Sequence, residues 1–175
     1  SEAEGVPDPQ TGLFKASLSP DQAHGASNSL GLSMGARYSM TASIKFPDLE
    51  YTTADEKAFE VLAQGKLSIV SVGGSDNKVD HAEYAQPIEI VLKAENIKGI
   101  QAGKKIRIAV GGKTAEVEAE GAPDSHGLFK ASLSPDQAHG ASNSLGLTMG
   151  KSYSMTASMK VDDVDYNTTG EKAFE

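Results

Sequence analysis

An all-β chain, built as tandem antiparallel sandwiches of about seven strands each, is predicted by three observations. Apolar residues recur with a period of two, as in Ile106, Ile108 and Val110 alternating with Arg107 and Ala109, which is the signature of strands with one buried face. Residues 12–60 match residues 127–175 at an offset of 115, with 38 of 49 positions identical. Glycine pairs and Pro/Asp/Ser clusters separate the alternating runs at short intervals, as turns do.

The duplication organises the chain. Glu2-Ala3-Glu4-Gly5 matches Glu118-Ala119-Glu120-Gly121 at an offset of 116, so one residue is inserted before the longer match. Residues 61–115 have no counterpart. A period of 115 is far above the about 20 to 50 residues of a solenoid repeat and is instead the size of a domain. Residues 1–60 therefore read as the C-terminal half of one repeat, and residues 61–175 as a complete repeat. The incomplete half lacks the first strands that would cover its apolar faces. The partners expected for it are neighbouring repeats of the same polypeptide or strands exchanged between chains.

Within the complete repeat, strands are expected over 66–72, 88–94, 106–110, 114–118, 129–133, 153–159 and 171–175. Gly111-Gly112 between two alternating runs marks a two-residue hairpin, since glycine takes the positive φ of primed turns at no steric cost. Ser134-Pro135-Asp136-Gln137, repeated as Ser19-Pro20-Asp21-Gln22, carries an N-cap hydroxyl, an N1 proline and a glutamine three residues on, and predicts one short helical turn ended at Gly140. About seven short strands and one helical turn predict an antiparallel sandwich of immunoglobulin type, with an aliphatic core in place of a disulfide.

Composition removes several classes of function. The chain has no Cys, which excludes disulfide scaffolds, thiolate zinc sites, iron–sulfur clusters and a cysteine nucleophile. Its 16 Lys and Arg against 24 Asp and Glu give a formal net charge of −8, which disfavours nucleic acid and favours cations. Apolar runs such as 88–92, interrupted by Glu89, are far short of the about 20 residues of a membrane helix, so no membrane insertion is expected. The N-terminal Ser1-Glu2-Ala3-Glu4 has neither the basic region nor the apolar run of a cleavable signal.

The chemistry-bearing residues are acids in loops. Asp76, Asn77, Asp80 and Glu83 concentrate oxygen donors between the first two strands, without the register of an EF-hand loop; a solvated polar turn is the alternative. In a seven-stranded sandwich successive loops alternate between poles. Asp76, Asp80, Glu83 and Asp136 then fall at the C-terminal pole, and Asp124, Asp162, Asp163 and Asp165 at the N-terminal one. Packed together at a junction these carboxylates repel, whereas a bridging calcium turns them into a stiff joint. Asp76, Asp80, Glu83, Asp124, Asp162, Asp163 and Asp165 are the metal-ligand candidates, and calcium is the expected cofactor.

Other groups have plainer readings. His24, His81, His126 and His139 show no zinc spacing and are expected to be solvated loop residues. Ser134, Asp136 and His139 lie within one helical turn and suit capping rather than a catalytic triad. Met149, Met155 and Met159 fit core filling. No catalytic constellation converges from separate strands, so an enzyme is not expected.

The run Asp76-Asn77-Lys78-Val79-Asp80-His81-Ala82-Glu83-Tyr84-Ala85, followed by an apolar strand, resembles the D-N-x-I-N-A-A-E-A signature that opens many bacterial immunoglobulin-like repeats. Gly127-Leu128-Phe129-Lys130-Ala131 is similar to the family's G-x-W-x-V strand, with Phe129 in the aromatic place. Gly150-Lys151-Ser152-Tyr153-Ser154-Met155-Thr156-Ala157 is similar to its G-x-Y-x-V-x-A strand. The resemblance implies an extender region of a large repeats-in-toxin or biofilm-associated adhesin. It further implies an extracellular location on a bacterial surface, a role in projecting a distal binding domain, and calcium stiffening at domain junctions. The chain departs from the pattern in lacking tryptophan, in carrying Asp80 and His81 where Asn and Ala are usual, and in its longer loop 134–151. The alternative is a sandwich that binds a glycan or protein through loop 134–151. Sugar sites are usually lined by exposed aromatics, and here 5 Phe, 5 Tyr and no Trp are available, most of them in strand patterns.

Overall fold

The structure is a computed structural model that describes residues 3–4, 7–45 and 47–175. It divides into two compact units, Ser1–Gln64 and Gly65–Glu175.

In Ser1–Gln64 the strands are short. They are β1 (Ala3–Glu4), β2 (Lys15–Ala16), β3 (Arg37–Met40), β4 (Ser43–Lys45), β5 (Glu50–Thr52) and β6 (Lys57–Glu60). They pair as three separate two-stranded ribbons, β1 with β2, β3 with β6 and β4 with β5. A two-stranded ribbon is at best marginally stable alone, and in this unit Phe14, Leu30 and Ile44 are exposed while Tyr38 and Phe59 are half-buried.

Gly65–Glu175 holds eight strands in two sheets, one more than the sequence suggests. They are β7 (Lys66–Val72), β8 (Ile88–Glu95), β9 (Lys105–Val110), β10 (Lys113–Glu118), β11 (Leu128–Leu133), β12 (Tyr153–Val161), β13 (Val164–Asn167) and β14 (Lys172–Phe174). One sheet has the order β11-β8-β7. The other runs β10-β9-β12-β13, with β14 also on β12. All named pairings are antiparallel. This is the immunoglobulin-type sandwich, with its fourth strand on the edge of the larger sheet; past β10, Ala119 bridges back to Ala131 of the smaller one.

Strict alternation places the core. Ile88, Ile90, Leu92 and Ala94 of β8 point inward against Ile106, Ile108 and Val110 of β9 and Met155, Ala157 and Met159 of β12. Each fully buried aliphatic side chain contributes about 1.5 to 3 kcal/mol relative to leaving it in water. In β7 the alternation slips: Ile69 pairs Leu92 while Ser71 pairs Val91, a bulge that turns Val70 out to solvent and buries Ser71 and Val72.

Two hairpins use primed turns. Gly111 and Gly112 have φ of 57° and 81° and join β9 to β10 as the sequence predicts. Asp162 and Asp163, with φ of 48° and 62°, join β12 to β13 in the same way. The sequence pattern predicts no strand between 159 and 171. Instead the chain turns at once and runs back along β12, because aspartate tolerates the left-handed region and can serve in place of glycine. In the first repeat the matching positions are Pro47 and Asp48. Proline's fixed φ of about −65° forbids that turn, although Lys45 still pairs Glu50 as Lys160 pairs Asp165.

The turn predicted at Ser134 forms as a single π-type turn, Asp136–Gly140, closed by Ala141 N–H on the Asp136 carbonyl at 3.1 Å. Ser134 Oγ accepts from Gln137 N–H at 3.2 Å, and Gln137 Oε1 accepts from Ser134 N–H at 2.9 Å, which is a reciprocal capping box. Ser19 and Gln22 repeat it in the first unit.

Candidate functional site: the two poles of Gly65–Glu175

The loop from β7 to β8 builds one pole. Gly73, at φ 65°, cannot carry a side chain, because a Cβ there would meet Val79 and the Lys78 carbonyl. Asn77, also at positive φ, accepts from Val72 N–H through its side chain at 3.3 Å. Its carbonyl accepts from Glu175 N–H at 3.0 Å while Val79 N–H donates to the Glu175 carbonyl at 2.7 Å. Two bonds to one residue from either side of Lys78 are the pattern of a parallel bridge, so the last residues of the unit are fastened to this loop.

A second element absent from the sequence reading follows: a short helix, α1 (His81–Tyr84), capped by Asp80. Asp80 Oδ1 accepts from Ala82 and Glu83 N–H at 2.8 and 2.9 Å, and Glu83 Oε2 accepts from Asp80 N–H at 3.0 Å. Two of the candidate metal ligands thus serve as a capping box, each keeping a second carboxylate oxygen outside it. Asp76 Oδ1 accepts from Lys78 N–H at 3.3 Å.

Loop 134–151 closes over the same pole and is packed, not free. Tyr84 stacks on His139, with ring centroids 3.9 Å apart and planes 10° apart. His139 Nε2 lies 2.8 Å from the Tyr84 carbonyl, which can only accept, so that nitrogen carries the proton. Tyr84 O–H donates to the Leu147 carbonyl at 3.0 Å, and Leu145 and Leu147 are buried. His139 is half-buried structure rather than the solvated residue the spacing suggests, whereas its repeat equivalent His24 is exposed. Nothing in the spacing of Tyr84 and His139, 55 residues apart, could have revealed this contact.

The opposite pole carries the other acids. Asp124 Oδ1 accepts from His126 and Leu128 N–H at 2.8 and 2.9 Å. Those backbone bonds, that of Leu128 most strongly, hold its carboxyl below the usual carboxylate range. Asp8, its counterpart, is lowered the same way by Gln10 and Thr11 N–H. A depressed folded pKa adds stability that is present above the unfolded value of about 3.9 and lost as pH falls through the folded one. Asp124→Asn is therefore expected to melt below the parent at pH 7, with the gap narrowing below about pH 3.9; thermal melts across pH 2 to 7 check it.

Asp162 and Asp163 occupy the β12–β13 turn, beside Gly103, Lys104, Lys105 and Lys160. Asp165 lies just inside β13 opposite Lys160, near Lys105 and Arg107. The predicted sorting of acids between poles matches the strand topology for Asp76, Asp80, Glu83, Asp124, Asp162 and Asp163. Among the described residues, no three carboxylate or imidazole groups converge to hold a metal. The free oxygens of Asp76, Asp80 and Glu83 have the hard-donor chemistry calcium takes. Lys105, which lines the same surface as Asp162 and Asp163, is itself paired with Glu116 at 2.7 Å.

Two sheets, antiparallel pairing and chemistry confined to the ends make Gly65–Glu175 an immunoglobulin-like module. Among solved structures, the chain is similar to a bacterial immunoglobulin-like domain from the M. primoryensis ice-binding adhesin. The two share 15% identity over 59% of this chain and 90% of that one, with a TM-score of 0.34. No protein-family model matches the chain, and no curated protein matches it by sequence.

Proposed function

We propose that the chain is part of a structural extender of a bacterial surface adhesin, in which tandem modules space a distal binding domain away from the cell. One observation carries this reading: the polypeptide enters Gly65–Glu175 at one pole, where β7 starts, and leaves at the other, where Glu175 is fastened beside Asn77 and Val79. Successive copies joined in that way advance along one axis. The nine residues of β12 span about 30 Å at about 3.3 Å per residue, so each module adds about 3 to 4 nm. Near-identical copies suit a spacer, which needs length rather than a distinctive surface.

Calcium is the second part of the proposal. Asp76, Asp80 and Glu83 of one module, facing Asp124, Asp162, Asp163 and Asp165 of the next, would supply carboxylate oxygens to a bridging ion and stiffen the joint.

Small-angle scattering on arrays of two, three and four modules tests the spacer: the maximum dimension should grow linearly with copy number, and a compact particle would refute it. For calcium, an ion that binds only the native state raises stability by about 2.7 kcal/mol at a hundredfold excess over Kd. Melting of the arrays with calcium and with chelator should show that rise. Asp80→Asn, which keeps a competent N-cap, should diminish the rise while leaving the chelator melt in place.

A further inference from the structure

The sequence predicts core filling for Met149, Met155 and Met159, and two of the three meet it. Met155 and Met159 are 0% and 4% exposed, whereas Met149 is 49% exposed and lies outside the core cluster. Its Sδ is 3.5 Å from Nδ1 of His81, which is also exposed. A thioether and an imidazole from two separate elements therefore meet at the surface of one pole.

Both donors are held by what surrounds them. His81 opens α1, whose backbone is fixed by the capping box of Asp80 and Glu83. Tyr84, at the end of α1, stacks on His139 and donates its O–H to the Leu147 carbonyl at 3.0 Å. Next in the chain, the backbone N and Oγ1 of Thr148 each lie 2.9 Å from Tyr153 Oη. Met149 thus follows two anchored residues, on a loop tied to the helix that carries His81. A ligand between the two donors has only two side chains to order, not a backbone.

The chemistry of the pair selects that ligand. A thioether is a soft, polarizable and uncharged donor, and a neutral imidazole is a nitrogen donor that suits copper. Calcium and magnesium take oxygen, and zinc takes thiolate, imidazole and carboxylate; a thioether beside an imidazole favours a soft monovalent cation such as Cu(I) or Ag(I). The spacing fits as well. Bonds of about 2.0 Å to nitrogen and about 2.3 Å to sulfur, with their far ends 3.5 Å apart, enclose an angle of about 110° at the ion. The cation takes the gap between the two atoms, and the ring keeps its hydrogen on Nε2, the tautomer that leaves a lone pair on Nδ1.

We propose that His81 Nδ1 and Met149 Sδ form an open two-donor site for a soft monovalent cation, its remaining positions filled by solvent. The site lies beside Asp80 and Glu83 but shares no donor atom with the calcium reading, and it is tested separately from it.

Silver nitrate titrated into the full chain in chloride-free buffer, followed by proton–carbon correlation NMR of methionine methyl and histidine ring groups, is the test. The Met149 methyl and His81 ring signals should move together, ahead of all others and complete at one silver ion per chain. Met34, 72% exposed, is an internal reference for an isolated thioether and should respond only at higher silver. Because each donor finds the other already in place, His81→Ala or Met149→Leu should weaken the first step about 100-fold, while Met34→Leu leaves it unchanged. Both substitutions spare the capping box, and leucine keeps the volume of methionine; silver-free melts that coincide with the parent confirm the fold. Excess calcium should leave the step in place. Met149 and Met34 responding over the same range of silver, a first step that survives either substitution, or its displacement by calcium overturns the proposal.

Discussion

Phe129→Ala is expected to destabilise Gly65–Glu175 by about 3 to 5 kcal/mol, while Phe14→Ala leaves the thermal stability of the chain within about 0.5 kcal/mol of the parent. The two phenylalanines sit in the same local sequence, Gly-Leu-Phe-Lys-Ala-Ser-Leu, so propensity cannot separate them. What separates them is cover. Phe129 is buried between the sheets opposite Leu92, and its removal leaves a cavity that close-packed neighbours fill only in part. Phe14 already stands half in water. Calorimetry on the two variants reads the contrast as a melting point lowered by more than about 10 °C in one and unmoved in the other; equal losses would contradict the burial described here.

Gly127→Ala should be the more damaging of a second matched pair. Gly127 has φ of 79°, where a side chain costs about 1 to 2 kcal/mol by itself. A Cβ there would also collide with the Ala94 carbonyl, on the strand whose Ala94 N–H donates to the Gly127 carbonyl at 2.8 Å. Neither strand can shift without breaking the β8–β11 ladder. At Gly12, φ is 70° and nothing lies near the Cβ position. Gly12→Ala therefore carries the φ penalty alone, and Gly127→Ala the penalty plus the collision. Urea midpoints for the transition of Gly65–Glu175 should fall sharply for Gly127→Ala and stay put for Gly12→Ala.

The strands were legible because a half-buried sheet imposes period two, and Ile88 to Ala94 or Tyr153 to Val161 follow it with few breaks. Gly111-Gly112 was legible because two glycines in succession have few other uses between alternating runs. Three features escaped for physical reasons. The Asp162-Asp163 turn carries no glycine, and its positive φ values come from aspartate. The bulge at Val70 looks like a continuous apolar run until a partner strand fixes the register. Asp80 with Glu83 three residues on is a capping-box spacing, yet carboxylates in a loop suit cations equally well until backbone N–H groups are seen pointing at them. The candidate site was legible as a sorting of acids between ends, which follows from strand order. Lys104 and Lys105, which line the same surface as Asp162 and Asp163, lie far from them in sequence and could be placed there only by the fold.

The fastening of Glu175 to Asn77 and Val79, together with the Thr169 N–H bond to the Leu67 carbonyl, has a mechanical meaning. It lays the exit strand alongside the entry segment, both pointing the same way. Tension pulling the two ends of the unit apart then strains these bonds side by side, as a lap joint is loaded, instead of peeling them one after another. Rupture in that geometry requires several bonds to fail together, so resistance to a pull is governed by the height of the unfolding barrier rather than by equilibrium stability.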